Sequence, residues 1–150
     1  MTDVLKFLNS IRDKREEVNL LKGKRNELYY SLMPSGIRYD LDRVQTSPED
    51  RMPVVAGDLD EIQHKLDGMI ASLMRDVNLA TELVNRMQKS KHRQLILLRY
   101  FGPDRESTTW EKVAKEMGYT PEYVRGTLHG EAIKEARTIW NSLQNHTDCL

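Results

Sequence analysis

The sequence predicts an all-α protein in which a long N-terminal helical hairpin of the coiled-coil type precedes a helix-turn-helix domain. Charged residues make up 31% of the chain and aromatic residues only 7%, a composition typical of long, partly exposed helices. Apolar residues recur every three, four or seven positions through residues 2–32 and 58–88, which is the period of an amphipathic helix. Two shorter apolar segments meet at Gly118-Tyr119, a signal for a tight turn between helices. We therefore divide the chain into residues 1–88 and 89–150.

The first helix is predicted over residues 2–32. Pro34 and Gly36 follow it and end it, because proline lacks an amide hydrogen and glycine tolerates the left-handed turn that often closes a helix. Residues 33–57 are rich in such helix breakers and are predicted to be a loop. Within this loop, Ser47-Pro48-Glu49-Asp50 is expected to cap a short helical turn.

A heptad repeat marks the second helix, predicted over residues 58–88. A helix of this length spans roughly 45 Å at about 1.5 Å per residue, and an apolar seam that long must be covered. The first helix could cover it as the antiparallel partner of a hairpin, and self-association would cover the same surface. A structural coiled coil explains the seam better than a ligand-binding role. The seam holds Leu59, Leu66, Leu73, Ala80 and Met87 at one position and Ile62, Met69 and Leu83 at the other, with Asp76 as its one interruption.

We expect a homo-oligomer to form through this seam. The residues selected for oligomerisation are Leu59, Ile62, Leu66, Met69, Leu73 and Leu83.

Residues 89–150 are predicted to hold three shorter helices. Gly102-Pro103 stops the first of them. Thr108 is expected to cap the second, because Glu111 lies three residues on and completes a capping box. A capping threonine followed by proline is expected to start the third helix at Thr120. Inward faces are assigned to Trp110, Val113, Ala114 and Met117 in the second helix and to Val124, Leu128, Ala132, Ile133 and Ala136 in the third.

Two short helices joined by a tight glycine turn form a helix-turn-helix unit, whose second helix enters the major groove of DNA by its first turn. Arginine there binds guanine or a phosphate, glutamate accepts from cytosine, and the helix start offers amide hydrogens to a phosphate. Double-stranded DNA is therefore the expected partner; three packed helices with solvated faces are the alternative. The outward residues of that turn are predicted to be Glu122, Tyr123, Arg125, Gly126 and His129.

Two glycines inside the third helix need an explanation of their own. Gly126 and Gly130 are four residues apart, and each costs about 1 kcal/mol against alanine in a helix. Close approach of a DNA backbone or of another helix would account for them. Accidental tolerance explains them equally well.

The C-terminal sequence resembles a known DNA-binding domain. The segments 98–101 (LRYF) and 109–125 (TWEKVAKEMGYTPEYVR) are similar to region 4 of the bacterial sigma-70 factors. The whole chain resembles a family of short phage proteins of Gram-positive hosts that carry a sigma region 4-like C-terminal domain, akin to the late transcription activators RinA and ArpU. The matching pieces are residues 43–52, the heptad helix, residues 123–130 and residues 132–134.

This resemblance implies a transcription regulator that binds DNA in the cytoplasm of the host cell, with RNA polymerase as a further partner. By position, Arg99 and Thr109 match sigma residues that hold the DNA backbone, while Glu122 and Arg125 match groove-facing residues. Nothing similar to the promoter-melting region of sigma fits in the chain, which argues against a complete sigma factor. The predicted DNA-binding set is completed by Thr120, Pro121, Tyr123, Gly126 and His129.

The sequence also departs from sigma region 4. Pro121, Tyr123 and Gly126 stand where polar or basic groove residues are usual in sigma, and the helix is one residue longer before Ala132. The promoter-element specificity of sigma is therefore not carried over.

Two other classes compete with this interpretation. The small subunit of a phage DNA-packaging terminase also couples a helix-turn-helix to an oligomerising helical region. The chain could instead be an interaction protein that binds RNA polymerase and does not contact DNA. An enzyme is the weakest interpretation, because the sequence offers no carboxylate pair in a plausible cleft, no glycine-rich phosphate loop and no nucleophile with a base. No cofactor is expected.

Charge and cysteine content set further limits. The chain has 23 basic and 23 acidic residues, and residues 89–150 are only mildly basic, so phosphate attraction depends on a few placed cations or on several copies.

His92, His129 and Cys149 lack the spacing of a zinc site, and no metal is expected. A single cysteine allows no intramolecular disulfide, and no apolar run is long enough for a membrane span; both observations favour the cytoplasm.

Overall fold

The computed structural model describes residues 3–32 and 48–148, and the regular structure in these ranges is entirely helical. The all-α fold class is confirmed. A 3₁₀ turn, Glu106–Thr108, precedes α4, and a π-helical turn, Val124–Leu128, joins α5 to α6. The α-helices are α1 (Val4–Leu32), α2 (Pro48–Arg86), α3 (Ser90–Tyr100), α4 (Trp110–Met117), α5 (Pro121–Tyr123) and α6 (His129–Asp148).

Helix α2 begins earlier than the sequence suggested. The predicted loop over residues 33–57 is wrong for its C-terminal part, because α2 starts at Pro48 and not near residue 58. A proline at the first helical position needs no amide partner, and acidic residues such as those that follow it are favoured in a first turn. The turn expected at Pro48 therefore runs on into the heptad helix. Residues 33–47 lie outside the described residues.

The helices form two compact units, one made of Met1–Glu16 with Ser72–Leu150 and the other of Glu17–Ala71. These limits differ from the expected division between residues 88 and 89. Both long helices, α1 and α2, contribute to both units. The predicted C-terminal domain is thus only a part of the first unit.

The start of α1 belongs to the core of the first unit. The Phe7 ring stacks on Trp140 of α6, with ring centroids 4.6 Å apart. Close by, Arg137 Nε donates to Asp3 Oδ1 at 3.0 Å. Because apolar surface is stabilised by removal from water wherever it lies in the sequence, the first turns of α1 complete this unit. Further buried residues that α1 and α2 supply to it are Val4, Leu8, Ile11, Leu73, Ala80, Leu83 and Val84, and Met87 follows directly after α2.

An ion pair explains the interruption of the heptad seam at Asp76. Lys14 Nζ donates to Asp76 Oδ2 at 2.5 Å and to Ser72 Oγ at 2.9 Å. A polar residue on an apolar seam fixes the register of the helices when its partner stands opposite. In the second unit, Arg25 Nη1 donates to Gln63 Oε1 at 3.3 Å, and Val18 of α1 and Leu66 of α2 are both buried.

The six residues predicted to mediate oligomerisation fall into two groups. Leu66, Leu73 and Leu83 are already buried within the single chain and so do not offer a free surface, because the intramolecular core covers them instead. The other three, Leu59, Ile62 and Met69, are partly exposed.

Candidate nucleic-acid interface

The start of α4 is set one residue later than the sequence suggested. Thr109 is the N-cap, and its hydroxyl accepts from the Lys112 amide at 3.4 Å. Thr108, the expected cap, is instead buried in the 3₁₀ turn, where its hydroxyl lies 3.1 Å from the Asp104 and Arg105 carbonyls. The 3₁₀ turn thus displaces the helix start, and Thr109, expected at the DNA backbone, also serves the fold.

The turn after α4 has the geometry that the sequence predicted. Gly118 adopts a left-handed backbone conformation with φ of 77°, which favours glycine because a side chain there would be strained. The Tyr119 amide donates to the Ala114 carbonyl at 3.0 Å, and the Gly118 amide donates to the Lys115 carbonyl at 3.3 Å. This pair of hydrogen bonds is the Schellman motif. The chain therefore leaves α4 in a fixed direction.

The next helix begins at once. The Thr120 hydroxyl accepts from the Tyr123 amide at 3.3 Å, and Pro121 occupies the first helical position, so the predicted start is confirmed. Ala114 of α4 is almost fully buried, and α4 packs against both α5 and the π-helical turn. The predicted inward residues of this helix, Val124, Leu128, Ala132, Ile133 and Ala136, are all buried.

The π-helical turn changes which side chains face outward. The His129 amide donates to the Val124 carbonyl five residues back, so the turn holds one residue more than an α-helical turn. One added residue rotates the following side chains by about 100°. π-helical turns are rare and often lie at functional sites.

His129 faces inward instead of outward as a result. Its Nε2 lies 2.7 Å from the Tyr100 hydroxyl, and its ring lies edge-on to Trp110 with centroids 4.9 Å apart. Burial, assisted by the charge of Arg99, lowers the pKa of His129 to about 4. Burial also raises the pKa of Tyr100 to about 12. At neutral pH the imidazole and the tyrosine hydroxyl are therefore both neutral and share one hydrogen bond, and the half-buried His129 belongs to the fold.

Arg99 is also committed to the fold. Its Nη1 donates to the Thr108 carbonyl at 2.6 Å, and its guanidinium lies 4.1 Å from the centre of the Trp110 ring. Burial lowers the pKa of Arg99, and the nearby charges of Arg12 and Arg105 lower it further. Arg99 therefore stabilises the segment that leads into α4.

The remaining groove residues share one exposed face. Glu122, Tyr123, Arg125 and Gly126 are all exposed, and the Tyr123 ring lies 5.3 Å from Tyr119. Within the described ranges, Arg125 makes no hydrogen bond or ion pair. We call these four residues the groove face.

Both helix glycines border open space. A Cβ atom added at Gly126 or Gly130 would meet no heavy atom within 4 Å outside its own helix. In the part of the chain that the structure describes, no other helix therefore packs closely on them. Close approach of another described helix is therefore not their explanation.

One polar cluster of the first unit was not predicted. Glu135 of α6 accepts from the Gln88 amide at 2.6 Å, and its other oxygen lies 2.6 Å from His92 Nδ1. Desolvation opposes ionisation of Glu135, but these partners outweigh it and lower its pKa. Glu135 thus supplies an acceptor before α3, whose own N-cap, Lys89, forms no side-chain cap. Nothing in the local sequence signals a contact between residues so far apart.

Comparison with known proteins identifies no relative: no family model, no curated protein and no solved structure matches the chain. Among the described residues, no three His, Cys, Asp or Glu side chains are grouped to hold a metal ion; Cys149 lies outside them. No helix in the described ranges has the length and hydropathy needed to cross a membrane.

Proposed function

We propose that the chain is a regulator of transcription that binds double-stranded DNA. In this proposal α4 and the helix that begins at Pro121 form a helix-turn-helix similar to sigma region 4, and the groove face enters the major groove. The observation that carries the proposal is the unpaired, exposed Arg125 one turn after a capped helix start. Arg125 makes no hydrogen bond or ion pair with the described residues, so its guanidinium can bind a guanine edge through two hydrogen bonds.

The surroundings of Arg125 suit a phosphate backbone. Lys112 and Lys115 are exposed on α4, the helix that precedes the groove face in the first unit. Glu122 is exposed beside Arg125 and would accept from cytosine. Arg125 and Glu122 therefore offer sequence readout, while the lysines supply attraction that does not depend on sequence.

The open space at Gly126 supports the same orientation. A glycine in a helix is destabilising by about 1 kcal/mol relative to alanine, and no other helix of the described chain requires one there. A DNA backbone that approaches the helix closely would require it. The proposal therefore gives the glycine a role that the fold alone does not.

The long helices complete the proposal as an antiparallel hairpin that brings two or more copies together. The pairings of Lys14 with Asp76 and of Arg25 with Gln63 are those expected of such a hairpin. In the second unit, Leu20 and Tyr30 are exposed by 66% and 60%, and apolar surface of this kind favours self-association. Linked copies would raise the apparent affinity of a helix-turn-helix that alone makes few phosphate contacts.

Selection from a randomised duplex library tests this function. The full-length protein is incubated with the library, and bound duplexes are recovered and sequenced over several rounds. We expect enrichment of one motif, with two half-sites if copies act together. If the recovered duplexes share no motif after several rounds, the proposal is contradicted. Mapping an enriched motif to a promoter supports transcription regulation, whereas mapping it to a DNA-packaging site supports a terminase small subunit.

A further inference from the structure

Four arginines meet beside the start of α4, in the first unit. Arg12 Nη2 donates to the Thr108 hydroxyl at 3.1 Å, and Arg99 Nη1 donates to the Thr108 carbonyl at 2.6 Å. Arg15 and Arg105 line one small cavity together with Arg12 and Thr108. We call Arg12, Arg15, Arg99 and Arg105 the arginine cluster.

The carboxylates near the cluster are already committed. Asp13 Oδ1 accepts from Arg105 Nη2 at 2.7 Å, and Glu16 Oε2 lies 3.9 Å from Arg105 Nε. Asp104, which also borders the cavity, accepts from the Ser107 amide at 2.8 Å. Arg105 is therefore the one member of the cluster with an ion pair in the described part of the chain.

The other three arginines have neutral partners or none. The Nε atoms of Arg12, Arg15 and Arg99 are buried, and none forms a hydrogen bond with a described residue. Arg15 forms no hydrogen bond or ion pair at all in these ranges. A buried N–H group without an acceptor is destabilising. Burial and the charges of Arg12 and Arg105 also lower the pKa of Arg99. The cluster thus has hydrogen-bond donors without an acceptor among the described residues.

The size of the cavity indicates which anion would fit. Its volume is about 10 Å³, which is roughly the space that one water-sized atom occupies. Glu16 and Asp104 line it together with the arginines, and the space that is left admits a single oxygen of a larger group outside. Arginine is the side chain best suited to phosphate, because its planar fork donates two parallel hydrogen bonds.

We propose that the arginine cluster binds a phosphate group, with one phosphate oxygen in this cavity. If that phosphate belongs to a DNA backbone, the inference deepens the proposed function: α1 becomes a second DNA contact, in the same unit as the groove face. The arginine cluster would then position the protein on DNA and add affinity, since a phosphate carries no sequence information. A free phosphate ion is the other source of the same chemistry.

The test uses the full-length protein, the variant Arg15→Gln and the matched control Lys24→Gln. Lys24 is an exposed residue of the same helix, so the control removes an equal charge outside the cluster. Circular dichroism verifies folding, and Arg15→Lys, which keeps the charge but loses the planar fork, provides a second variant.

The first arm measures binding to a selected duplex and to an unrelated duplex across a salt series. For Arg15→Gln we expect a several-fold loss of affinity for both duplexes alike, and a slope of log K against log salt that is shallower by about one. Lys24→Gln should leave affinity and slope nearly unchanged. Arg15→Lys should retain most of the slope and lose part of the affinity.

The second arm measures the melting temperature in sodium phosphate and in sodium chloride of equal ionic strength. Phosphate should raise the melting temperature of the wild type and have no such effect on Arg15→Gln. If the wild type binds no DNA but shows this phosphate effect, the proposed function fails and the phosphate site stands, with free phosphate as its ligand. If DNA binding is intact but Arg15→Gln changes neither slope nor phosphate effect, the phosphate site is overturned and the proposed function stands. Neither DNA binding nor a phosphate effect would overturn both.

Discussion

Phe7, in the second turn of α1, stacks on Trp140 of α6 with ring centroids 4.6 Å apart and ring planes 27° apart. The two residues belong to helices at opposite ends of the sequence. Their contact joins the N-terminal residues to the unit that contains the groove face. A fragment of residues 89–150 would lack this ring contact to Trp140.

Replacement of this ring should therefore weaken the whole first unit. We expect Phe7→Ala to lower the free energy of unfolding by about 3–5 kcal/mol, because Phe7 is 8% exposed and its removal leaves a cavity. Urea denaturation followed by tryptophan fluorescence measures the change. Met74→Ala is the control: Met74 is 59% exposed, and its loss should change stability by less than about 0.5 kcal/mol. Equal effects of the two substitutions would show that the start of α1 is not part of the core.

The ion pair between Lys14 and Asp76 gives a second prediction. Asp76→Leu alone should be destabilising because it leaves Lys14 without its charged partner on the seam. The double variant Lys14→Met with Asp76→Leu should recover the wild-type stability or exceed it. Since the Lys14 side chain is 37% exposed, the coupling energy should be no more than about 1 kcal/mol. A double-mutant cycle in urea measures it, and strict additivity of the two changes would contradict a role in register.

The half-buried His129 predicts a loss of stability in mild acid. Its pKa is lowered to about 4 in the folded chain, whereas an unfolded histidine has a pKa of about 6.5. Between these values the unfolded state binds more protons, so the free energy of unfolding must fall as the pH falls from about 6.5 to about 4, by on the order of 2 kcal/mol. His129→Gln keeps an acceptor for Tyr100 and does not titrate. Urea denaturation across this range should show a steeper fall for the wild type than for the variant, and parallel curves would exclude a buried neutral histidine.

Alanine substitutions at the two helix glycines distinguish an effect on stability from an effect on DNA binding. Gly126→Ala and Gly130→Ala should each raise the free energy of unfolding by about 0.5–1 kcal/mol, because the added methyl group meets open space and alanine favours a helix. Gly126→Ala should nevertheless weaken DNA binding, since it lies on the groove face beside Arg125. Thermal denaturation and fluorescence anisotropy of the same samples measure both effects. Gly126→Ala that gains stability and keeps full affinity would show that the glycine is tolerated by accident.

Local signals in the sequence predicted the local features of the fold. The turn at Gly118, the helix start at Thr120 and the buried face that begins at Val124 all depend on neighbouring residues, and the structure contains each of them. The contact of Phe7 with Trp140 and the acceptor that Glu135 provides before α3 join distant residues. No periodicity encodes such pairings, because they depend on how helices pack in three dimensions.

Only part of the candidate site was predicted, because the rest depends on how the helices fold and pack. An uninterrupted α-helical period places His129 on the groove face, but the π-helical turn rotates it inward. The resemblance to sigma region 4 suggested an extra residue before Ala132, yet the sequence alone did not show whether the chain would hold such a residue in a loop or within the helix. The arginine cluster combines residues from α1 and from the segment before α4, so it had no signal in either segment alone.

The central claim, that the groove face reads DNA, is tested most directly by Arg125→Ala. The labelled duplex recovered by selection is titrated with the full-length wild type, with Arg125→Ala and with the exposed-lysine control Lys22→Ala by fluorescence anisotropy. Arg125 is exposed and unpaired in the described fold, so its removal should leave circular dichroism and melting temperature unchanged. We expect a loss of about 1–3 kcal/mol in binding the selected duplex, with a smaller loss for unrelated duplexes. Unchanged affinity for the selected duplex, in a folded Arg125→Ala protein, would contradict the assignment of this face.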